Sequence, residues 1–230
     1  MQAFSFPPNT TMTAQIIDGK RIAQGIRQYT KDKVNKLLRV PKLVVIQVGE
    51  NPASTVYIRN KIRACNEVGI TSYELRLPQT CSEANLLEAI RSLNEDPTVD
   101  GILVQLPLPS HIQSGPILEA IHPEKDVDGF HIYNTGKLVT TGGALKLCTP
   151  AGIIELLNAI GYSLEGKHAV ILGRSNIVGK PLAMLMLQEN ATVTMTHSHT
   201  PNLSYYTKQT DVLVAAIGRA KFVKADMVKK

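Results

Sequence analysis

The sequence predicts an α/β protein built as two α/β domains with a cleft between them, the second a doubly wound parallel sheet. Three observations predict this. Short apolar runs rich in β-branched residues alternate with helical stretches along the chain, the pattern of parallel sheets covered on both faces. One such run, residues 169–172, passes through a glycine turn (Gly173, Ser175, Gly179) into a helical stretch that Pro181 can open. An irregular stretch rich in Gly and Thr, residues 123–147, divides two blocks of this kind. The expected division is an extension at 1–12, a first domain at 13–148 and a second at 149–230.

The totals are consistent with that reading. A chain of 230 residues with 43% hydrophobic content can bury full cores, and 5% aromatics with no Trp makes those cores aliphatic. No run approaches the length of a membrane span. Residues 1–13 lack the basic start and apolar centre of a secretory signal and hold no arginine, so they are expected to form a loose extension, with Met12 an alternative start. The net charge of +6 favours anionic ligands, but lysines and arginines are scattered rather than clustered, which argues against a nucleic-acid surface. Cys65, Cys81 and Cys148 are far apart and odd in number, so neither a zinc site nor a disulfide framework is expected. A reducing, cytoplasmic compartment fits best.

Taken in order, residues 19–39 have roughly helical apolar spacing that Pro41 stops. Residues 43–48 form a strand closed by Gly49, and 54–68 a helix ending at Gly69. Residues 71–77 alternate as a strand, and 82–93 form a helix with Ser82 as N-cap. A strand at 102–106 is broken by Pro107 and Pro109, and a short helix follows at 112–121. After the irregular stretch come a helix at 151–160, the strand at 169–172, the helix at 181–188, a strand at 191–196, a short helical piece at 202–208 and a strand at 212–217. The last reads VLVAAI, apolar throughout, as a strand buried on both faces does.

Four stretches carry candidate chemistry. Ser54, Tyr57, Lys61 and Cys65 are spaced three, four and four, which puts them on one face of a helix. A lysine beside a tyrosine can serve as a proton-transfer pair, and equally its stem can pack on the ring of a surface tyrosine. Gln105, in DGILVQLPLP at 100–109, sits at the carboxyl end of a strand, where open parallel sheets bind ligands. Asp126 and Asp128, in EKDVDGF, are two apart in a glycine-containing loop. They make a poor cation site alone, and one of them could bond a heterocycle bearing an amino group; a solvated turn has the same sequence. The spacing Gly173, Ser175, Gly179 between strand and helix exposes N–H groups that can hold phosphate, as in Rossmann-like dinucleotide sites, although a tight turn in any α/β protein satisfies it too.

Together these stretches pass a threshold that none passes alone. S-x-x-Y-x-x-x-K-x-x-x-C-x-x-x-G-I at 54–70, DGILVQLPLP at 100–109, PEKDVDGF at 123–130, CTP at 148–150 and GRSNIVGKP at 173–181 resemble, in order, the bifunctional methylenetetrahydrofolate dehydrogenase / methenyltetrahydrofolate cyclohydrolase family, from about Thr13 onward. The resemblance implies oxidation of methylenetetrahydrofolate with NADP and hydrolysis of the methenyl product to formyltetrahydrofolate. It implies Lys61 as catalytic lysine with Tyr57 and Gln105 beside it, Asp128 gripping the pterin and Ser54 lining the same pocket. For the cofactor it implies Gly173, Arg174 and Ser175 in the turn, Ser198 near the adenosine ribose, and Thr149 and Gly218 near the nicotinamide. A homodimer is implied as well.

The residues themselves bear on cofactor choice. NAD sites place Asp or Glu after the second strand of the nucleotide fold to bind the ribose hydroxyls. Here His197, Ser198, His199 and Thr200 follow that strand, with no acid, and Arg174 is available to a 2′-phosphate. The resemblance further implies that relatives continue past Lys230 with another strand, a glycine-rich loop and a final helix. The expectation drawn from this is weak activity, or a nucleotide-binding or dimerisation module of the same fold. A basic RNA-binding protein is disfavoured by the absence of exposed aromatic stacking patterns.

Overall fold

The structure is a computed structural model that describes residues 14–142 and 145–229. Residues 1–12, read above as an extension, lie outside the described residues. The described residues form two compact units, one Gly19–Asn134 and the other made of residues 14–18 with Thr135 onward.

The unit Gly19–Asn134 contains α1 (Gly19–Val34), β1 (Lys42–Val48), α2 (Pro52–Val68), β2 (Thr71–Leu77), α3 (Glu83–Glu95), β3 (Gly101–Val104) and α4 (Ser114–Glu119), and α5 (Ile132–Thr140) begins within it. Its sheet is parallel, in the order β2-β1-β3. The central strand β1 reads KLVVIQV because it is covered on both faces, which removes the polar alternation of a half-exposed strand. Val44, Ile46 and Val48 point to one face and pack with Leu86 and Ile90 of α3, Ile102 and Val104 of β3 and Ile117 of α4. Val45 points to the other and packs with Leu103 and with Ile58 of α2. Ser82 caps α3, its hydroxyl accepting from the Asn85 N–H at 3.2 Å.

The second unit runs from Thr135 and holds α6 (Cys148–Ala159), β4 (His168–Leu172), α7 (Gly179–Gln188), β5 (Thr192–Thr196), α8 (Leu203–Thr207), β6 (Val212–Ala215) and a 3₁₀ turn at Ala225–Met227. Its sheet is again parallel, in the order β5-β4-β6. Ala169, Val170 and Ile171 in the middle strand are fully buried, as are Leu182 and Met186 of α7.

Three expectations change. Residues 123–147 are not irregular throughout: α5 occupies Ile132–Thr140. Its sequence, IYNTGKLVT, has a central glycine and several β-branched residues of low helix propensity, so its stability comes from packing of Leu138 and from Asn134, both buried. The first helix ends at Val34, with Lys36 and Leu37 bonded back in tight turns. β6 is not buried on both faces: Val212, Leu213 and Val214 are half-buried and Ala215 is exposed, because among the described residues β6 pairs only with β4.

Ile46→Ala should lower the unfolding free energy by about 2–5 kcal/mol, since the site is closed on all sides, whereas Leu38→Ala, at a fully exposed residue, should change it by less than about 0.5 kcal/mol. Denaturant melts with unchanged m-values check both.

Candidate active site

At the carboxyl edge of the first sheet, β1 runs through Gly49 into α2. Asn51 Oδ1 accepts from the Ser54 N–H at 3.2 Å in the first turn of α2, and Ser54 is buried. Tyr57 is exposed and Lys61, one turn on, is half-buried. Lys61 Nζ donates to Gln105 Oε1 at 3.4 Å. Gln105 stands one residue past β3, and its N–H donates to the Ile46 carbonyl at 2.9 Å, carrying the sheet ladder beyond the strand. Its Nε2 donates to the Leu106 carbonyl at 2.8 Å, which orients the amide with its oxygen toward the lysine. Lys61, Tyr57, Gln105 and Ser54 therefore belong to one face of α2 and the strand end opposite it. Cys65, the next residue on that face, has its thiol pushed up by burial, which keeps it protonated and unreactive.

The loop carrying the two aspartates is pinned at successive residues. Lys125 Nζ donates to the carbonyls of Leu93 (3.0 Å), Asn94 (2.7 Å) and Asp96 (2.8 Å), placing a cation at the carboxyl end of α3. The Lys125 carbonyl accepts from the Ile102 N–H of β3 at 2.7 Å. Asp126 is buried; Oδ1 accepts from the Gly129 N–H at 3.1 Å, and Oδ2 from the His131 N–H at 2.8 Å and Asn134 Nδ2 at 3.0 Å. Asp126 is thus the carboxylate that holds the loop. Asp128 differs: burial pushes its carboxyl above the usual carboxylate range, the charge of Lys61 draws it back, and Asp126 pushes it up again. Sequence reasoning left the two aspartates equivalent on their residues alone; their hydrogen bonds separate them.

In the second unit the candidate residues gather at the carboxyl ends of three adjacent strands. Gly173, after β4, has φ +113°, and a Cβ there would lie 2.5 Å from the Ala216 carbonyl oxygen. A Cβ on Gly179 would collide with the Gly173 carbonyl oxygen. Strand, turn and helix therefore approach too closely for side chains at either position. The sequence reading expected free N–H groups at the start of α7. They are taken within the turn: Ser175 Oγ accepts from Val178 (3.1 Å) and Gly179 (3.3 Å), the Ser175 carbonyl accepts from Lys180 (3.0 Å), and Pro181 has no N–H to offer. Arg174 is exposed on the same turn.

The Gly173 N–H donates to the Thr196 carbonyl at 2.9 Å, so the turn is sewn to the end of β5, where His197, Ser198, His199 and Thr200 follow. The His197 and His199 rings meet edge to face with centroids 6.0 Å apart. Gly218, after β6, has φ +63°. Thr149 is exposed in the first turn of α6. An arginine on the turn, no acid at the end of β5 and an edge at which the order β5-β4-β6 switches direction fit a dinucleotide that bears a phosphate on its ribose.

Comparison with known proteins agrees with this geometry. The family model described as tetrahydrofolate dehydrogenase/cyclohydrolase, catalytic domain, matches residues 17–128, and its NAD(P)-binding domain matches residues 147–230. The bifunctional protein FolD of Methylibium petroleiphilum is 50% identical over 221 residues, spanning 95% of this chain and 78% of that protein. Among solved structures, the bifunctional enzyme FolD, methylenetetrahydrofolate dehydrogenase/cyclohydrolase, of Campylobacter jejuni superposes with a TM-score of 0.92 at 44% identity, covering 94% of this chain and 78% of that one. The methylenetetrahydrofolate dehydrogenase-cyclohydrolase (FolD) of Trypanosoma brucei, complexed with NADP and an inhibitor, superposes with a TM-score of 0.88 at 33% identity, covering 94% and 76%. The chain belongs to the tetrahydrofolate dehydrogenase/cyclohydrolase family.

Proposed function

We propose that Lys61, Tyr57 and Gln105 are the catalytic residues of this chain, and that Ser54, Tyr57, Gln105 and Asp128 bind its folate substrate. The chain is an NADP-dependent methylenetetrahydrofolate dehydrogenase and methenyltetrahydrofolate cyclohydrolase, an oxidoreductase and hydrolase of one-carbon folate metabolism. The observation that carries the residue assignment is the Lys61–Gln105 contact at the β3 end, with Lys61 also acting on the charge of Asp128.

Asp128 offers two acceptor oxygens to the amino and ring N–H groups of a pterin, and its partial burial strengthens those bonds. NADP, when bound, accepts the hydride that leaves the one-carbon bridge. The residues that would hold it are Gly173, Arg174, Ser175, Ser198, Gly218 and Thr149, with Arg174 pairing the 2′-phosphate. The methenyl product is a cation. Water adds to its methenyl carbon, one carbon–nitrogen bond breaks, the released nitrogen takes a proton, and one proton goes to solvent overall. Lys61 Nζ moves the proton during addition, with Gln105 Oε1 fixing the ammonium and Tyr57 beside it on α2.

Among the described residues no helix is long and apolar enough to cross a membrane. We further propose a homodimer acting in the cytoplasm without nucleic acid. The scattered basic residues that give a net charge of +6 favour polyanionic folate and NADP.

Lys61→Met should slow methenyl hydrolysis by about 10²–10⁴-fold while NADP affinity, measured by calorimetry, stays unchanged. Hydrolysis at the parent rate would refute the assignment. Arg174→Ala should weaken NADP by about 10- to 100-fold and leave NAD unchanged, since a hydrogen bond to a charged group contributes about 1.5–3 kcal/mol; equal losses for both cofactors would remove the 2′-phosphate role.

Asp128→Asn should weaken folate binding and at the same time raise stability at neutral pH. The folded carboxyl sits above its unfolded value, so its contribution is fully present below the unfolded value and is lost as pH rises through the folded one. The gain in Tm should therefore shrink to nothing as pH falls below about 4. A Tm difference that does not vary with pH would count against a buried, unneutralised Asp128.

A further inference from the structure

We propose that Gln47 is a positioning residue for this reaction, acting through Gln105. The inference rests on the reading of Gln105 and Lys61 given above. Gln47 is the one polar residue in the apolar run 43–48 of β1, and it is 4% exposed. Val45 and Leu103 pack together on the α2 face of the sheet. Gln47 and Gln105 each follow two residues later and so share that face. The pairing Ile46↔Val104, extended by the Gln105 N–H on the Ile46 carbonyl, makes them register neighbours. Neighbouring strands lie about 4.8 Å apart, the spacing at which stacked glutamine amides bond one to the next.

Three links of a directed hydrogen-bond chain are present. Lys61 Nζ donates to Gln105 Oε1 at 3.4 Å, Gln47 Nε2 donates to Thr55 Oγ1 at 3.3 Å, and Thr55 Oγ1 donates to the Asn51 carbonyl at 3.1 Å. The missing link is the one between the two amides, and both of its ends are free to form it. Gln47 Oε1 is buried with no hydrogen-bond partner among the described residues. Gln105 Nε2 carries two hydrogens and gives one to the Leu106 carbonyl. A buried acceptor without a donor is costly, and a small rotation of either amide closes the gap. The closed chain fixes the Gln105 amide from both of its hydrogens, prevents it from flipping its nitrogen toward the lysine, and polarises the oxygen that Lys61 works against.

The experiment is a double-mutant cycle of Gln47→Leu and Gln105→Leu, read by kcat and KM for methenyl hydrolysis, by thermal melting, and by the side-chain amide resonances of Gln105. Gln47→Leu should lower kcat about three- to tenfold and leave KM within about twofold. Tm should change little, because the substitution removes the amide-to-amide bond together with the buried polar group that makes it. In the Gln105→Leu background the same change should have no further effect, and in Gln47→Leu one Gln105 amide proton should lose its hydrogen-bonded shift.

Parent kcat in Gln47→Leu, an equal proportional loss in both backgrounds, or an unshifted amide would each overturn the role of Gln47. If Gln105→Leu is too slow to assay, the amide resonance decides, and Gln47→Met replaces Gln47→Leu if the latter does not fold. Parent rates in both Gln105→Leu and Lys61→Met would overturn the site reading itself, an outcome distinct from failure at Gln47 alone.

Discussion

Parallel pairing is the constraint on which the rest depends. A parallel neighbour can be reached only by a crossover of one hand, so each sheet starts in its middle, at β1 or β4, winds outward to one side and then returns to the other. Loops diverge where the order reverses, between β1 and β3 and between β4 and β6, and the carboxyl ends of those strands are where open parallel sheets place their ligands. The backbone ladders do not stop where the strands do. The N–H groups of Gln105, Gly173 and Ala216 each bond to a neighbouring strand at 2.9 Å, one residue past the last strand position. The first loop residue therefore inherits the register of the sheet. A one-residue slip of β3 would turn Gln105 away from Lys61 and bury it in the aliphatic core beside Ile117.

That register separates groups that stabilise the fold from groups that burden it. Lys125 and Asp126 are satisfied within the protein, three bonds each, and they set the path of the loop. Asp128, two residues on in the same loop, is held where burial opposes its charge. Gln47 places an unsatisfied oxygen in a strand that would otherwise be apolar. Both would be poor choices for stability alone. Each lies on the loop or face that meets Lys61, which is where a stability–function conflict is expected.

What was legible in the sequence follows the strength of each local signal. Runs such as VVIQV and AVIL, closed by Gly49 and Gly173, carry the strand pattern and the positive-φ turn in the same few residues, so both sheets were readable. Ser82 was readable as a cap because capping is local. α5 was not, because Leu138 and Asn134 stabilise it through contacts that no window of IYNTGKLVT contains. β6 was read as doubly buried from composition alone, and composition does not say which strand lies at an edge. The backbone N–H groups at the start of α7 read as open to a phosphate, whereas Ser175, in the turn before it, takes those of Val178, Gly179 and Lys180. Gln47 leaves a trace in the sequence, a lone amide in an aliphatic strand two residues before a glycine.

The bonds that Ser175 makes within its turn bear on cofactor choice. With the N–H groups of Val178 and Gly179 consumed by the serine, the helix offers fewer free donors, and recognition of anionic groups shifts toward side-chain charge. A pyrophosphate is common to both nicotinamide dinucleotides, so backbone donors contribute to affinity without discriminating between them. Discrimination needs a group that responds to the extra phosphate. The end of β5 lacks the carboxylate that would repel it, and the turn sewn to that end by the Gly173–Thr196 bond carries Arg174. Specificity is a difference of two affinities, and here both halves of the difference have the same sign: an arginine able to pair a 2′-phosphate is present and a carboxylate able to bond the ribose hydroxyls of NAD is absent.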